Sequence, residues 1–448
     1  MKTSLPADTT ATIVDPLKRA NLAIAAAFPG DSPRRQPVHT VYGGAQLFKA
    51  TTARRSSEIA LAALEEHGGD PATFAAALGV PEALAAQVHA RVAQKLRSEA
   101  VEDFRIDFED GYGARPDAEE DGHAVQAADE VAKGLADGTL PPFIGIRIKP
   151  FTEELRARSF RTTDLFVTRL AAATKGKLPA PFIVTLPKIT APEQVAALAA
   201  VLDRLEQENG IAKGAIQIEL MIETTQSIFA PSGAVALPAL VAAARGRCTG
   251  AHFGTYDYTA NCSITAAHQH MRHPACDFAK DVMKVALAGT GVFISDGATN
   301  IMPIAPHRAK DGKLTDAQVR ENRQSVHRAW KIAYDDVTHS LVTGIYQGWD
   351  LHPAQLPVRY AALFAFFLGG LESASSRLRG FIDKAAQATL LGDVFDDAAT
   401  GQGLLNYFLR AVNCGAITAE ECVQKTSLTQ DELRTRSFVK ILAGRTGK

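Results

Sequence analysis

Eight short apolar runs, each ending in a turn and mostly separated by Ala-rich sequence of helical spacing, constrain this chain more than any other feature. They are HTVYGG at 39–44, DFRIDFEDGYG at 103–113, FIGIRIKP at 143–150, FIVTLPKI at 182–189, IQIELMIET at 216–224, GAHFGTYDY at 250–258, GVFISDG at 291–297 and TGIYQGWDLHP at 343–353. Several are nearly continuous in apolar residues, as parallel strands buried on both faces are. Intervening segments such as TAPEQVAALAAVLDRLEQE open on Thr and Pro and then repeat apolar residues at helical spacing. Eight β/α units predict an α/β fold, a TIM barrel. The stretch 50–102 holds more helical sequence than one crossover needs, so a helical insertion is expected after the first strand. Beyond 360 the pattern reads as all-helical. The expected division is an N-terminal segment at 1–36, a barrel at 37–360 and a helical extension at 361–448.

Composition removes several classes of partner. The formal net charge is -1, and no stripe of Lys and Arg is interleaved with aromatics, which argues against nucleic acid or an anionic membrane. Cysteines at 248, 262, 276, 414 and 422 are odd in number, scattered and without C-x-x-C spacing, so neither a disulfide framework nor structural zinc is expected, and a reducing cytoplasm fits. The opening MKTSLPADTTATIVDP lacks a signal-peptide core, and no apolar run approaches the roughly 20 residues of a membrane span. The expected partner is a small molecule. The apolar stripe in RYAALFAFFLGGLESASSRLRGFIDKAAQATLL must be covered by the barrel or by another subunit, which favours a homo-oligomer.

In a TIM barrel the chemistry sits at the C-terminal ends of the strands. Polar residues collect there: Glu109 and Asp110, Arg147 and Lys149, Lys188, Glu223, Asp257, Asp296, and Asp350 with His352. Glu223 and Asp257 end successive runs, and a Glu/Asp pair of oxygen donors suits Mg²⁺ or Mn²⁺, which leave positions open for a chelating substrate. The competing reading is that both acids merely cap the helices that follow. Asp110 qualifies as a general base only if burial or a like charge raises its pKa, and on a strand Glu109 would face the other way. Lys188 is a weaker candidate as a Schiff-base amine. His268, His270 and His273 lack a fourth ligand at zinc spacing and read as a loop lining the site or a subunit contact. Asp393, Asp396 and Asp397 read as surface acids.

The ordered set D-F-E-D-G, I-R-I-K-P, L-P-K-I, I-E-T, F-G-x-x-D, S-D-G and G-x-x-x-H-P-x-Q resembles the citrate lyase β-subunit-like family. That family belongs to the phosphoenolpyruvate/pyruvate barrels, with the HpcH/HpaI aldolases and malate synthases, and the resemblance spans roughly 39–360. It implies a Mg²⁺-dependent carbon–carbon lyase or aldolase acting on a 2-oxo acid or acyl-CoA thioester. It also implies Glu223 and Asp257 as metal ligands and Arg147 as the cation facing substrate oxygens. Backbone amides around Gly254, Thr255 and Tyr256 would hold a substrate carboxylate, with Glu109 and Asp110 as catalytic carboxylates. The chain departs from the aldolases, whose second-strand Glu is followed by His, by carrying Asp110 there. Three alternatives stay open: a malate-synthase-like condensing enzyme, a phosphotransferase or mutase on a phosphoenolpyruvate-like substrate, and a non-catalytic metabolite-binding or assembly protein that keeps the barrel. No G-x-x-x-x-G-K-[ST] loop is present for a nucleotide.

Overall fold

The structure is a computed structural model that describes residues 4, 7–309, 312–383, 389–391, 394–396 and 398–446. Eight parallel strands close into a barrel in chain order: β1 (His39–Gly44), β2 (Asp103–Asp107), β3 (Phe143–Arg147), β4 (Phe182–Leu186), β5 (Ile216–Ile222), β6 (Cys248–Phe253), β7 (Phe293–Ala298) and β8 (Gln347–Asp350). β8 returns to β1, with His39 opposite Gly348. Strands β3 and β4 meet at Gly145, where a Cβ would fall 1.8 Å from the Ile183 carbonyl oxygen. Only glycine permits that approach.

The strands are shorter than their apolar runs. β2 stops at Asp107 because that carboxylate accepts the amides of Glu109, at 3.0 Å, and Gly111, at 2.8 Å, and so turns the chain out of the sheet. Glu109 and Asp110 therefore sit in a turn, and the alternation of a strand does not apply to them.

The barrel interior also departs from the apolar expectation. Arg105, fully buried, pairs with Asp103 and reaches Glu219 at 2.8 Å. Glu219 also takes His252 at 2.8 Å and the Thr185 hydroxyl at 2.7 Å. Thr40 donates to Asp103 at 3.0 Å, and Gln347 donates to Thr40 at 3.1 Å. The apolar residues of the strands point outward instead. Ile106, Val184 and Ile218 are fully buried beneath the surrounding helices.

Three helices lie between β1 and β2: Thr52–Gly68, Pro71–Leu78 and Glu82–Glu99. The first and third pack beside the helix Leu356–Asp383, which also contacts Asp316–Val342 and Ala398–Asn413, while Pro71–Leu78 packs against Glu82–Glu99 and Asp316–Val342. Residues 353–382 are long and apolar enough to cross a membrane, contrary to the reading that no run is, but 83% of the most apolar window is buried inside the molecule. Its stripe is covered within the chain, so this helix offers no broad apolar face to a second copy. The helical extension carries one short antiparallel ladder, Thr389–Leu391 with Val394–Asp396. Asp396 lies in that ladder, while Asp393 and Asp397 fall outside the described residues.

Arg105 supplies the cation on which the interior acids depend. Replacing it by methionine leaves Asp103 and Glu219 buried without that partner, and the expected loss is about 3–5 kcal/mol. The check is the denaturant midpoint of Arg105→Met against the parent. An unchanged midpoint would mean that the interior charges impose no such constraint.

Candidate active site

Arg147, the last residue of β3, organises the C-terminal mouth of the barrel. Its Nε donates to Asp107 Oδ1 at 2.7 Å and its Nη2 to Oδ2 at 2.5 Å, a bidentate fork from β2. Its Nη1 lies 3.2 Å from Glu109 Oε2. The guanidinium also stands 4.8 Å from the Tyr42 ring centroid and 5.9 Å from that of Trp349. Burial works against the charge, but Asp107 and Glu109 outweigh it and hold Arg147 well above the usual arginine range. The side chain is a permanent cation fixed in orientation.

Lys188, just past β4, has a left-handed backbone at φ 50°. That conformation is uncommon for a residue with a side chain. It coincides with a contact: the Lys188 amide donates to Glu223 Oε1 at 2.7 Å. The ammonium meets Glu109 directly, lies 3.1 Å from Asp110 Oδ2 and 3.7 Å from Asp257 Oδ2. Burial disfavours the charged form, yet these acids push the lysine above its ordinary range. A lysine held as ammonium is a poor Schiff-base nucleophile.

Glu223 follows β5 and is buried. The next residue, Thr224, caps the short helix Thr225–Ile228 by accepting the Ser227 amide at 3.1 Å, which fixes the exit of the strand. Across from it, a Cβ on Gly254 would lie 2.5 Å from Glu223 Cβ and Oε2, so glycine leaves the space that the carboxylate fills. Burial first, and the like charge of Asp257 second, push the Glu223 carboxyl up to about 8. Asp257 sits in the first turn of the helix Thr255–Asn261, with its side chain 37% exposed and open to solvent.

The paired carboxylates of the second-strand turn have different environments. Burial raises Glu109 despite Arg147 and Lys188. Burial also acts on Asp110, but Lys188, a hydrogen bond to Glu109 and Arg147 together hold it below the usual carboxylate range. In this turn Glu109 is raised and Asp110 lowered.

The residues 254–256 are divided. The Gly254 amide is spent on the Ile222 carbonyl at 3.0 Å. Tyr256 places its phenol between the Ala298 carbonyl, at 2.8 Å, and the Asn300 amide, at 3.0 Å, in the loop after β7. Among the described residues the buried Thr255 hydroxyl has no hydrogen-bond partner. The amides of Thr255 and Tyr256 head a helix, where amides have no acceptor within the helix.

Other strand-end residues do structural work. Lys149 bonds the Phe108 carbonyl at 2.6 Å and pairs with Glu120 at 3.0 Å. Asp296 pairs with Lys280 at 3.0 Å, Asp350 with Arg359 at 3.0 Å, and His352 caps the turn Pro353–Gln355 through the Ala354 amide. His273 caps the helix Pro274–Leu287 by accepting the Ala275 amide at 3.1 Å, and the His270 ring stands 5.8 Å from it. Sequence reasoning missed Asp107, Tyr42 and Trp349. The two-residue spacing of Asp103, Arg105 and Asp107 was the available signal, because it puts all three on one face of a strand.

Glu223 and Asp257 are the residues that could hold a divalent ion. Their donors are all oxygen, and the mutual repulsion that raises Glu223 is what a bound cation would relieve. Among the described residues no group of three or more His, Cys, Asp or Glu side chains is arranged for a metal. The pair alone leaves most of a six-oxygen shell to water and substrate.

Several solved structures are similar to this chain. A citrate lyase from Burkholderia xenovorans LB400 is 18% identical, with 89% of this chain and 99% of that chain covered and a TM-score of 0.56. CitE from Mycobacterium tuberculosis, solved with magnesium, acetoacetate and coenzyme A, is 14% identical over 85% of this chain and 99% of its own, with a TM-score of 0.47. A magnesium/glyoxylate complex of Haloferax volcanii malate synthase is 12% identical over 90% and 98%, with a TM-score of 0.45. No curated protein matches the sequence. A family model does match, over residues 17–441, and the chain belongs to that family, described as a domain of unknown function, DUF6986.

Proposed function

We propose that this chain is a Mg²⁺-dependent enzyme that makes or breaks a carbon–carbon bond next to a carbonyl, acting on a 2-oxo acid or an acyl-CoA thioester. The observation that carries the reading is the forked, buried Arg147 beside the Glu223 and Asp257 carboxylates at the C-terminal mouth of the barrel. Such a reaction passes through an enolate, whose charge must be met by groups already in place. Arg147 has both guanidinium edges engaged by Asp107 and Glu109 and both aromatic rings against it, so little reorganisation is needed when negative charge develops. Held by Glu223 and Asp257, Mg²⁺ would supply Lewis-acid charge to the substrate carboxylate and oxo oxygens. Glu109, raised by burial and joined to Lys188, is the carboxyl suited to hold and return a proton, and Asp110 stays ionised beside it. The amides of Thr255 and Tyr256 would orient a substrate carboxylate.

A metal-free preparation given Mg²⁺ or Mn²⁺ and a panel of 2-oxo acids, 4-hydroxy-2-oxo acids and acyl-CoA thioesters should release pyruvate, glyoxylate or free CoA. Glu223→Ala should abolish turnover, and Arg147→Lys should lower it about 100-fold to 1000-fold. Silence across the panel despite metal binding would sink the proposal.

The sign of the pH dependence follows from Glu223. Its folded pKa, about 8, lies above the ordinary glutamate value of 4.5. The stabilising contribution of its proton is fully present below the unfolded value and is lost as pH rises through about 8. A metal must displace that proton, so Mg²⁺ affinity should rise about tenfold per pH unit from about pH 6 to about pH 8 and then level off. Calorimetry in buffers of different ionisation heat counts the released proton. A pH-independent affinity would remove Glu223 from the ligand set.

A further inference from the structure

A cavity of about 510 Å³ lies at the end of the barrel opposite the candidate active site, between the N-terminal segment and the C-terminal helices. Phe293, the first residue of β7, and Gly289 just before it form part of its wall, so it opens at the N-terminal ends of the strands. Its side chains are strongly biased in charge. Arg34, Arg410, Arg436 and Lys440 line it, against the single carboxylate of Asp31.

None of these four cations has a carboxylate partner within ion-pair distance among the described residues. Most arginines in this chain do, so the exceptions need a reason. Arg410 donates to Gln36 Oε1 and stands 4.8 Å from the Tyr346 ring centroid. Arg436 donates through Nη1 to the Ser32 carbonyl at 2.8 Å. Arg34 lies 6.0 Å from the Phe293 ring centroid. Each is positioned by neutral or aromatic contacts, and Asp31 is the one carboxylate of the lining that acts on Arg436. Burial, followed by the like charge of Arg410, holds the Arg436 guanidinium below the usual arginine range. Asp31 offsets this only in part, and a bound anion would offset the remaining repulsion between the two guanidinium groups.

We propose that this cavity binds a phosphate-bearing small molecule with more than one negative charge. Guanidinium forks match phosphate oxygens in pairs, whereas a lone carboxylate would neutralise only one of four cations. The volume falls within the roughly 300–1,000 Å³ of small-molecule pockets and exceeds what inorganic phosphate alone would fill. Asn406 and Ser437 add neutral polar groups to the same wall. The net charge of the chain is -1, so the attraction is local and gives no field for a polyelectrolyte.

The test uses the full-length protein in metal-free buffer at constant ionic strength, titrated calorimetrically with inorganic phosphate, pyrophosphate, ADP and citrate. Pyrophosphate or ADP should bind more tightly than phosphate or citrate. Arg436→Gln should weaken that binding at least about tenfold, in line with loss of a charge-assisted hydrogen bond. Lys440→Gln, at an exposed position that folding does not depend on, should weaken it severalfold, while Glu223→Ala should leave it unchanged because that carboxylate lies at the other end of the barrel. Stronger binding of ADP than of pyrophosphate identifies an organic phosphate, and the reverse identifies a diphosphate group as the whole determinant; both support the site. Absence of binding by either, citrate binding as tightly as both, or full affinity in both Arg436→Gln and Lys440→Gln would overturn the proposal.

Discussion

The Asp107–Arg147 pair is the interaction on which the mouth of the barrel depends. It joins the ends of β2 and β3 through two hydrogen bonds of 2.7 and 2.5 Å, and the same carboxylate turns the chain at Glu109 and Gly111. A buried ion pair of this kind contributes little net stability over a well-packed apolar pair, because both charges lose their hydration. Its return is geometric. One carboxylate fixes the plane of the guanidinium, ends the strand and delivers Glu109 to both Arg147 and Lys188.

The same economy of shared partners continues downward through the barrel. Tyr42, against which Arg147 stands, reaches Glu219 at 3.4 Å, and Glu219 takes Arg105, His252 and Thr185. Asp103, Thr40 and Gln347 follow, and Gln347 accepts from Gln36 at 3.1 Å, the residue that Arg410 contacts at the lower rim. The network borders a cavity of about 510 Å³ lined by Asp103, Arg105, Glu219, His252 and Gln347, and its members depend on one another. Each member holds its rotamer only while its neighbours hold theirs, and the polar groups left unpaired by a single loss are costly in so enclosed a space.

Much of the architecture was legible because parallel strands and crossover helices leave opposite periodicities in the chain. All eight apolar runs contain barrel strands, and Glu223, Asp257, Arg147 and Lys188 all lie at strand exits. What escaped was which face of each strand carried polarity. Several runs look apolar on both sides, yet in β2 Asp103, Arg105 and Asp107 alternate inward while Phe104 and Ile106 pack outward. The environment of Glu109 and Asp110 was hidden for a related reason. Their relative facing depends on a cap made by Asp107, and a capping contact of that kind leaves no periodic trace. The roles of Tyr42 and Trp349 depend on β1 and β8 closing the barrel, a contact between residues roughly 300 apart that no local pattern encodes.

The charges at the mouth do not balance evenly, and the imbalance has a location. Arg147 is committed to Asp107 and Glu109, and Lys188 to Glu109 and Asp110. Lys188 reaches Asp257 only at 3.7 Å and meets Glu223 through its amide rather than its ammonium. Both cations act to lower Glu223, and they lose: burial and Asp257 still raise it to about 8. Burial is the larger cause, and Arg147 and Lys188, engaged by Asp107, Glu109 and Asp110, do not offset it. The shortage of positive charge therefore lies at Glu223 and Asp257, the two carboxylates with the least claim on Arg147 and Lys188, which is where a further cation gains most.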